Sequence, residues 1–215
     1  VGNATLVNDA AGGSGFVTLY PSNATRPQVS NLNYVPGQIV PNAFTTGLGA
    51  DGAFNIYAFT TLHFIADITG YYSDTAAADS NGAAGLLYYP LASPARLLDT
   101  RPGQSACDNP GAAINGDSVR TELARVTCGA VTIPATAQAV VGNATVVNNT
   151  AGAGSGFVTL YPSGATRPPV SNLNYVPGQI VPNAFTVGLG ADGAFNIYAL
   201  TTLHFIADVT GYFAP

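Results

Sequence analysis

Apolar and polar residues alternate along this chain in short runs whose apolar positions are mostly β-branched or aromatic. Residues 16–20 (Phe-Val-Thr-Leu-Tyr), 29–34 (Val-Ser-Asn-Leu-Asn-Tyr), 53–57 (Ala-Phe-Asn-Ile-Tyr) and 62–68 (Leu-His-Phe-Ile-Ala-Asp-Ile) are separated by Gly, Pro, Asn and Asp. That pattern predicts strands joined by turns, and no helical period competes with it. Period two places Phe54 and Ile56 on one face and Asn55 and Tyr57 on the other. Likewise Leu62, Phe64, Ala66 and Ile68 oppose His63, Ile65, Asp67 and Thr69. Both faces carry apolar groups, so these strands are expected to be covered on two sides. In 118–126, Val119, Thr121, Leu123 and Arg125 oppose Arg120, Glu122, Ala124 and Val126, and neither face is cleanly apolar. The Asp51-Gly52 step, repeated at Asp192-Gly193, predicts a tight hairpin turn because glycine tolerates positive φ.

The pattern occurs twice. Residues 1–72 align with 141–213 with one insertion near Ala153 and nine substitutions: Leu6/Val146, Asp9/Asn149, Ala10/Thr150, Asn23/Gly164, Gln28/Pro169, Thr46/Val187, Phe59/Leu200, Ile68/Val209 and Tyr72/Phe213. About six strands are expected per half, spaced as in a sandwich or barrel. The stretch between the copies has no second copy in the chain. Its first part, 73–85, is small and polar and reads as a linker. Three segments follow: 1–72 as the C-terminal part of a β module, 73–85 as linker, and 86–213 as a complete module. Within the last, 86–140 is the first part and 141–213 the second copy of the repeat.

Leu97-Leu98-Asp99-Thr100-Arg101, Gly-Asn-Ala-Thr-Val-Val-Asn from 142, Thr159-Leu-Tyr-Pro-Ser163, Ser171-Asn-Leu-Asn-Tyr175, Gly178-Gln179 and Ile206-Ala-Asp-Val-Thr-Gly-Tyr212 together resemble a β module of secreted bacterial proteins. In that family the modules occur in tandem or appended to secreted enzymes. The resemblance spans 86–213 as one unit and 1–72 as part of another. It implies an extracellular, noncatalytic building block and brings no catalytic motif. The expected fold is all-β, as antiparallel β-sandwich modules, jelly-roll or immunoglobulin-like, in tandem repeat.

Composition changes the picture in one respect. Charged residues make up 8% of the 215, while hydrophobic residues make up 47%, against roughly 25% charged in an ordinary soluble domain. Arginine supplies all six basic charges and the net charge is -5. No basic face exists to neutralise a phosphate backbone, which argues against a nucleic-acid partner. Lysine-dependent chemistry is excluded, and so are the lysines that often guard exposed strand edges. No apolar run approaches the ~18 residues of a membrane span. The chain lacks methionine, so a processed chain or an excerpt of a longer one is expected.

Cys107 and Cys128, the only cysteines, flank a Gly/Pro/Asn-rich loop and a strand. A disulfide is the expected state, since a metal site would need His or further Cys nearby; the alternative is a pair of buried free thiols. His63 and Asp67, with their copies His204 and Asp208, share a strand face, and a hydrogen-bonded pair is expected before a cation or glycan contact. Asp99 between Arg96 and Arg101 reads as an ion pair fixing a strand end. No nucleophile elbow or phosphate loop is present, and Glu122 is the single glutamate. No enzyme activity, cofactor or metal is therefore expected. Asn3, Asn23, Asn143 and Asn148 open N-glycosylation sequons, and Tyr57, Tyr198, Tyr88 and Tyr89 are candidate interface residues.

If 86–213 is one module, residues 1–72 lack the strands of 86–140, and a neighbour must supply them. The expected function is a structural subunit of an extracellular filament, sheath or surface array, partnering itself head-to-tail by strand complementation or module stacking. The alternative is a carbohydrate- or cell-wall-binding module using exposed Tyr rings. Two rival organisations remain: halves that fold alone around a small middle domain, and a cut through a longer array.

Overall fold

The computed structural model describes residues 1–9, 11–73, 85–148 and 154–215. Positions 74–84 of the expected linker, and the insertion near Ala153, lie outside the described residues. The chain divides into two compact units, Val1–Tyr71 and Tyr72–Pro215.

The first unit contains β1 (Gly2–Val7), β2 (Gly15–Pro21), β3 (Leu32–Tyr34), β4 (Ile39–Phe44), β5 (Phe54–Ala58) and β6 (His63–Ile68). The second contains β7 (Leu87–Asp99), β8 (Ser118–Leu123), β9 (Thr127–Cys128), β10 (Val131–Thr132), β11 (Ala139–Val147), β12 (Gly156–Pro162), β13 (Leu173–Tyr175), β14 (Ile180–Gly188), β15 (Ala194–Ala199) and β16 (His204–Ala214). Among the described residues all sixteen elements are strands and every strand pair is antiparallel.

In the second unit two four-stranded sheets, ordered β14-β11-β16-β7 and β13-β12-β15-β8, sandwich one core. Val140, Ala144, Val146, Phe205 and Val209 come from the first sheet and Val158, Leu160, Phe195 and Ile197 from the second. The short β9-β10 hairpin lies outside both sheets. Consecutive strands β7 and β8 fall in opposite sheets, as do β11 and β12. This is the eight-stranded order of a jelly roll; an immunoglobulin-type sandwich would pair its first two strands in one sheet.

The first unit repeats six of those eight strands in the same order. Its sheets are β4-β1-β6 and β3-β2-β5, matching β14-β11-β16 and β13-β12-β15. Its core is smaller: Ala4, Leu6, Val17, Leu19, Leu32, Tyr34 and Phe44, with Phe54, Leu62 and Phe64 only partly buried.

Two local expectations change. The Asp-Gly turns do not close hairpins. Gly52 and Gly193 do take positive φ (74° and 79°), but the turns carry the chain from one sheet to the other, β4 to β5 and β14 to β15. Asp51 and Asp192 hold them by accepting from the Ser22 and Ser163 hydroxyls and from the amides of Ala53 and Ala194. The strand expected over 29–34 shortens to β3, because side chains replace the ladder there. The Thr18 hydroxyl donates to the Val29 carbonyl (2.6 Å) and the Leu19 amide to Asn31 Oδ1 (2.8 Å).

Candidate assembly edges

The strand pair present in one unit and missing from the other covers two sheet edges. In the second unit β7 pairs with β16, matching Ala207 with Leu98, Asp208 with Arg96, Val209 with Ala95 and Tyr212 with Tyr89. On the other sheet β8 pairs with β15, matching Phe195 with Glu122, Ile197 with Arg120 and Tyr198 with Val119. Among the described residues nothing pairs with the corresponding edges of β6 and β5. A strand edge of this kind presents backbone donors and acceptors ready to continue the sheet.

Side chains register the same difference. Ile56 is 46% exposed and its counterpart Ile197 0%; Ile65 is 47% and Ile206 6%; Ile68 is 63% and Val209 0%. Covering an isoleucine of this kind contributes roughly 1.5–3 kcal/mol of apolar burial. A backbone detail agrees. At Gly211 an added Cβ would run into the Tyr88 ring, whereas among the described residues nothing lies within 4 Å at the matching Gly70. Gly211 thus lets Tyr88 lie against β16, while Tyr89 stacks on Tyr212 with centroids 5.3 Å apart.

The covering strands are clamped by charge. Asp99, fully buried, accepts from the Arg101 backbone amide and from the Arg101 guanidinium at 3.0 and 2.7 Å, with Arg96 at 3.4 Å. Burial pushes its carboxyl up, but the Arg101 bonds and the two arginine charges outweigh burial and hold it below the ordinary carboxylate range. Arg96 also grips Asp208 through Nε (2.8 Å) and Nη2 (3.2 Å). The expected ion pair at the strand end is therefore part of a network reaching β16.

On β8 the usual pattern is inverted: Val119 and Leu123 face outward, while Glu122 is buried and Arg120 half-buried. Arg120 bridges Asp108 and Glu122. Burial first, then the Asp108 charge, pushes Glu122 up to about 7 against the pull of Arg120. This cluster borders a cavity of ≈ 810 Å³ that Arg96, Asp108, Glu122 and both cysteines help to line.

The disulfide between Cys107 and Cys128 is formed, with Cα atoms 5.4 Å apart. It ties the loop beside β7, where the Cys107 amide donates to the Arg96 carbonyl (3.0 Å), to β9. In the second copy the histidine and the aspartate take separate partners. His204 Nδ1 lies 3.1 Å from the Thr100 carbonyl, and Asp208 goes to Arg96. No group of three or more metal-ligating side chains exists among the described residues.

The interface tyrosines separate. Tyr88 and Tyr89 are exposed and Tyr57 is half-buried, but Tyr198 is buried. Arg167 covers the Tyr198 ring at 3.9 Å and its hydroxyl donates to Asp117 (2.9 Å), which precedes β8. Arg26 covers Tyr57 in the same way at 4.1 Å. Of the sequon asparagines, Asn23 is exposed and Asn143 half-buried with its amide on Thr145. Asn3 and Asn148 are buried and their amides donate internally, to Thr5 and to the carbonyls of Gly154 and Val176. Residues 149 and 150 of the last sequon lie outside the described residues.

Sequence reasoning did not find the Arg120–Asp108–Glu122 cluster, although the Arg-x-Glu alternation in 118–126 was its signal. The Tyr88–Gly211 approach has no local signal at all. Among the described residues no helix is long and apolar enough to cross a membrane. No protein-family model matches the chain, and comparison with curated proteins finds no match.

Proposed function

We propose that this chain is a structural building block of an extracellular filament, sheath or surface array, contacting its neighbours through the open edges of β5 and β6. The observation that carries this reading is the exposure of Ile56, Ile65 and Ile68 beside unpaired backbone, at positions whose counterparts are buried. A disulfide in a chain poor in charge supports an oxidising, extracellular setting. Catalysis forms no part of this role. Purified chain should form multimers that grow with concentration in light scattering and appear extended by electron microscopy. Ile56→Asp with Ile68→Asp should dissolve them, since both charges would enter the covered edge. A monodisperse monomer at high concentration contradicts the reading.

A second reading has its own observation. Phe16, Arg26, Gln28, Val29, Ser30 and Asn33 line a shallow pocket of ≈ 420 Å³, and Phe16 packs on Tyr57 (5.8 Å) and Phe59 (5.4 Å). Aromatic faces beside amide and hydroxyl groups are a platform for a sugar ring. In this reading the chain is retained on polysaccharide or cell wall and released by Tyr57→Ala; no retention on any polysaccharide removes it.

A further inference from the structure

Two acceptor halves flank one covering strand pair among the described residues. The halves differ little along the edges that the pair covers: β5 and residues 194–198 differ nowhere from 53 to 57, and 63–71 differs from 204–212 only at Ile68/Val209. Exchange of β7–β8 between identical copies would fill one half by emptying another, so the number of open halves would not fall. Closing the first unit needs a strand pair that is not already engaged.

We propose that the open edges of the first unit are a receptor for a strand pair of the β7–β8 chemistry, supplied by a neighbouring polypeptide segment and seated in the register that β16 and β15 use. This rests on the structural reading above and names its partner. The recognition follows residue by residue from the second unit. An arginine at the place of Arg96 reaches Asp67, as Arg96 reaches Asp208. An aromatic pair at the place of Tyr88 and Tyr89 lies over Gly70 and Tyr71, as the original pair lies over Gly211 and Tyr212. A carboxylate at the place of Asp117 accepts from the Tyr57 hydroxyl, as Asp117 accepts from Tyr198. Paired strands of this kind cover Ile56, Ile65 and Ile68 together, adding main-chain pairing to apolar burial.

Gly70 sharpens the argument. It does not take positive φ, and among the described residues nothing lies within 4 Å of the space its Cβ would fill. Nothing inside the first unit uses the missing side chain; the matching glycine is used by Tyr88 of the covering strand.

The test uses the full chain and, as probe, a synthetic peptide of residues 86–128 with its disulfide formed. The peptide should bind one per chain, slow amide exchange in β5 and β6 while leaving β15 and β16 unchanged, and disperse the multimers of the chain alone. Gly70→Leu in the chain should weaken binding about tenfold or more, a difference of roughly 1.4 kcal/mol per decade, without changing exchange in β1 and β2. Arg96→Glu in the peptide should weaken it comparably. Absence of binding to a chain whose β1 and β2 amides are protected overturns the proposal, as does binding indifferent to both changes or confined to the second unit. If the peptide fails yet the chain forms multimers, only the partner assignment falls and the structural role stands. If the peptide binds but the chain alone stays monomeric, the partner assignment stands and self-assembly falls.

Discussion

The first and second units have almost the same sequence over their shared six strands, yet they bury different amounts of it. Phe205 is fully buried in the second unit, and Phe64 only partly so in the first. Leu203, Ile197 and Ala199 are sealed, whereas Leu62, Ile56 and Ala58 are not. Local sequence thus sets the sheet order and the turns alike in both places, although β1, β4 and β6 are shorter than β11, β14 and β16. What it does not set is closure of the sandwich, which depends on β7 and β8, two strands from a segment that occurs once. The difference between the units measures what that pair contributes.

The largest expected effect removes core volume on both sides of the comparison. Phe205→Ala should destabilise the second unit by about 4 kcal/mol, and Phe64→Ala should cost the first unit about half of that or less, because a partly exposed ring leaves a smaller cavity. Denaturant titration read by hydrogen exchange follows each unit separately. Equal losses would mean that the first unit is as closed as the second.

Next comes the disulfide, which belongs to the covering segment. Cys107→Ser with Cys128→Ser should lower the stability of the second unit by about 3 kcal/mol on the chain-entropy account and leave the first unit unchanged. A matching loss in the first unit would show that its stability depends on the same segment.

Glu122 then separates the units by pH. Its folded-state value, pushed up to about 7, lies above the ordinary value of an unfolded glutamate, about 4.3. The folded chain therefore holds a proton that the unfolded chain has released. Stability gained at low pH is lost as pH rises through roughly 4.5 to 7, by up to about 3 kcal/mol. Glu122→Gln should flatten this slope, and the first unit, which has no counterpart of β8, should not show it. Asp99 acts in the opposite sense. Its lowered value favours the folded state above the ordinary aspartate range, and that contribution disappears as pH falls below it. A pH-independent second unit between 4.5 and 7 would contradict the buried cluster.

The smallest effect is at the sheet-crossing turns. Gly52→Ala should cost about 1 kcal/mol for a side chain at positive φ. Gly193→Ala should cost more, because its Cβ would also meet the Arg125 side chain at 2.3 Å. Equal costs would place Arg125 away from the turn.

Much of this fold was legible because strand formation is local. Alternation and β-branching marked residues 16–20 and 62–68, the disulfide followed from two cysteines in a loop-rich segment, and the repeat showed that 1–72 lacks what 86–140 supplies. The choice of jelly roll was not legible, since it rests on which sheet β7 and β8 enter. The Asp-Gly pair predicted a turn correctly, but a dipeptide carries no information about whether the flanking strands share a sheet. Tyr198 and Tyr57 have matching neighbours in sequence and differ in exposure because Asp117 and β8 reach only one of them. Nothing in the sequons of Asn3 and Asn148 signals that both side chains are buried with their amides bonded inside the fold.

The most direct test of the open-edge account is hydrogen exchange of the intact chain across a dilution series. The amides of β5 and β6 should exchange about 100-fold or more faster than those of β15 and β16 in dilute solution. As multimers form at higher concentration, they should become protected while β15 and β16 stay unchanged. If β5 and β6 are as protected as β15 and β16 in a dilute monomer, or remain unprotected at every concentration, the first unit is not an assembly edge.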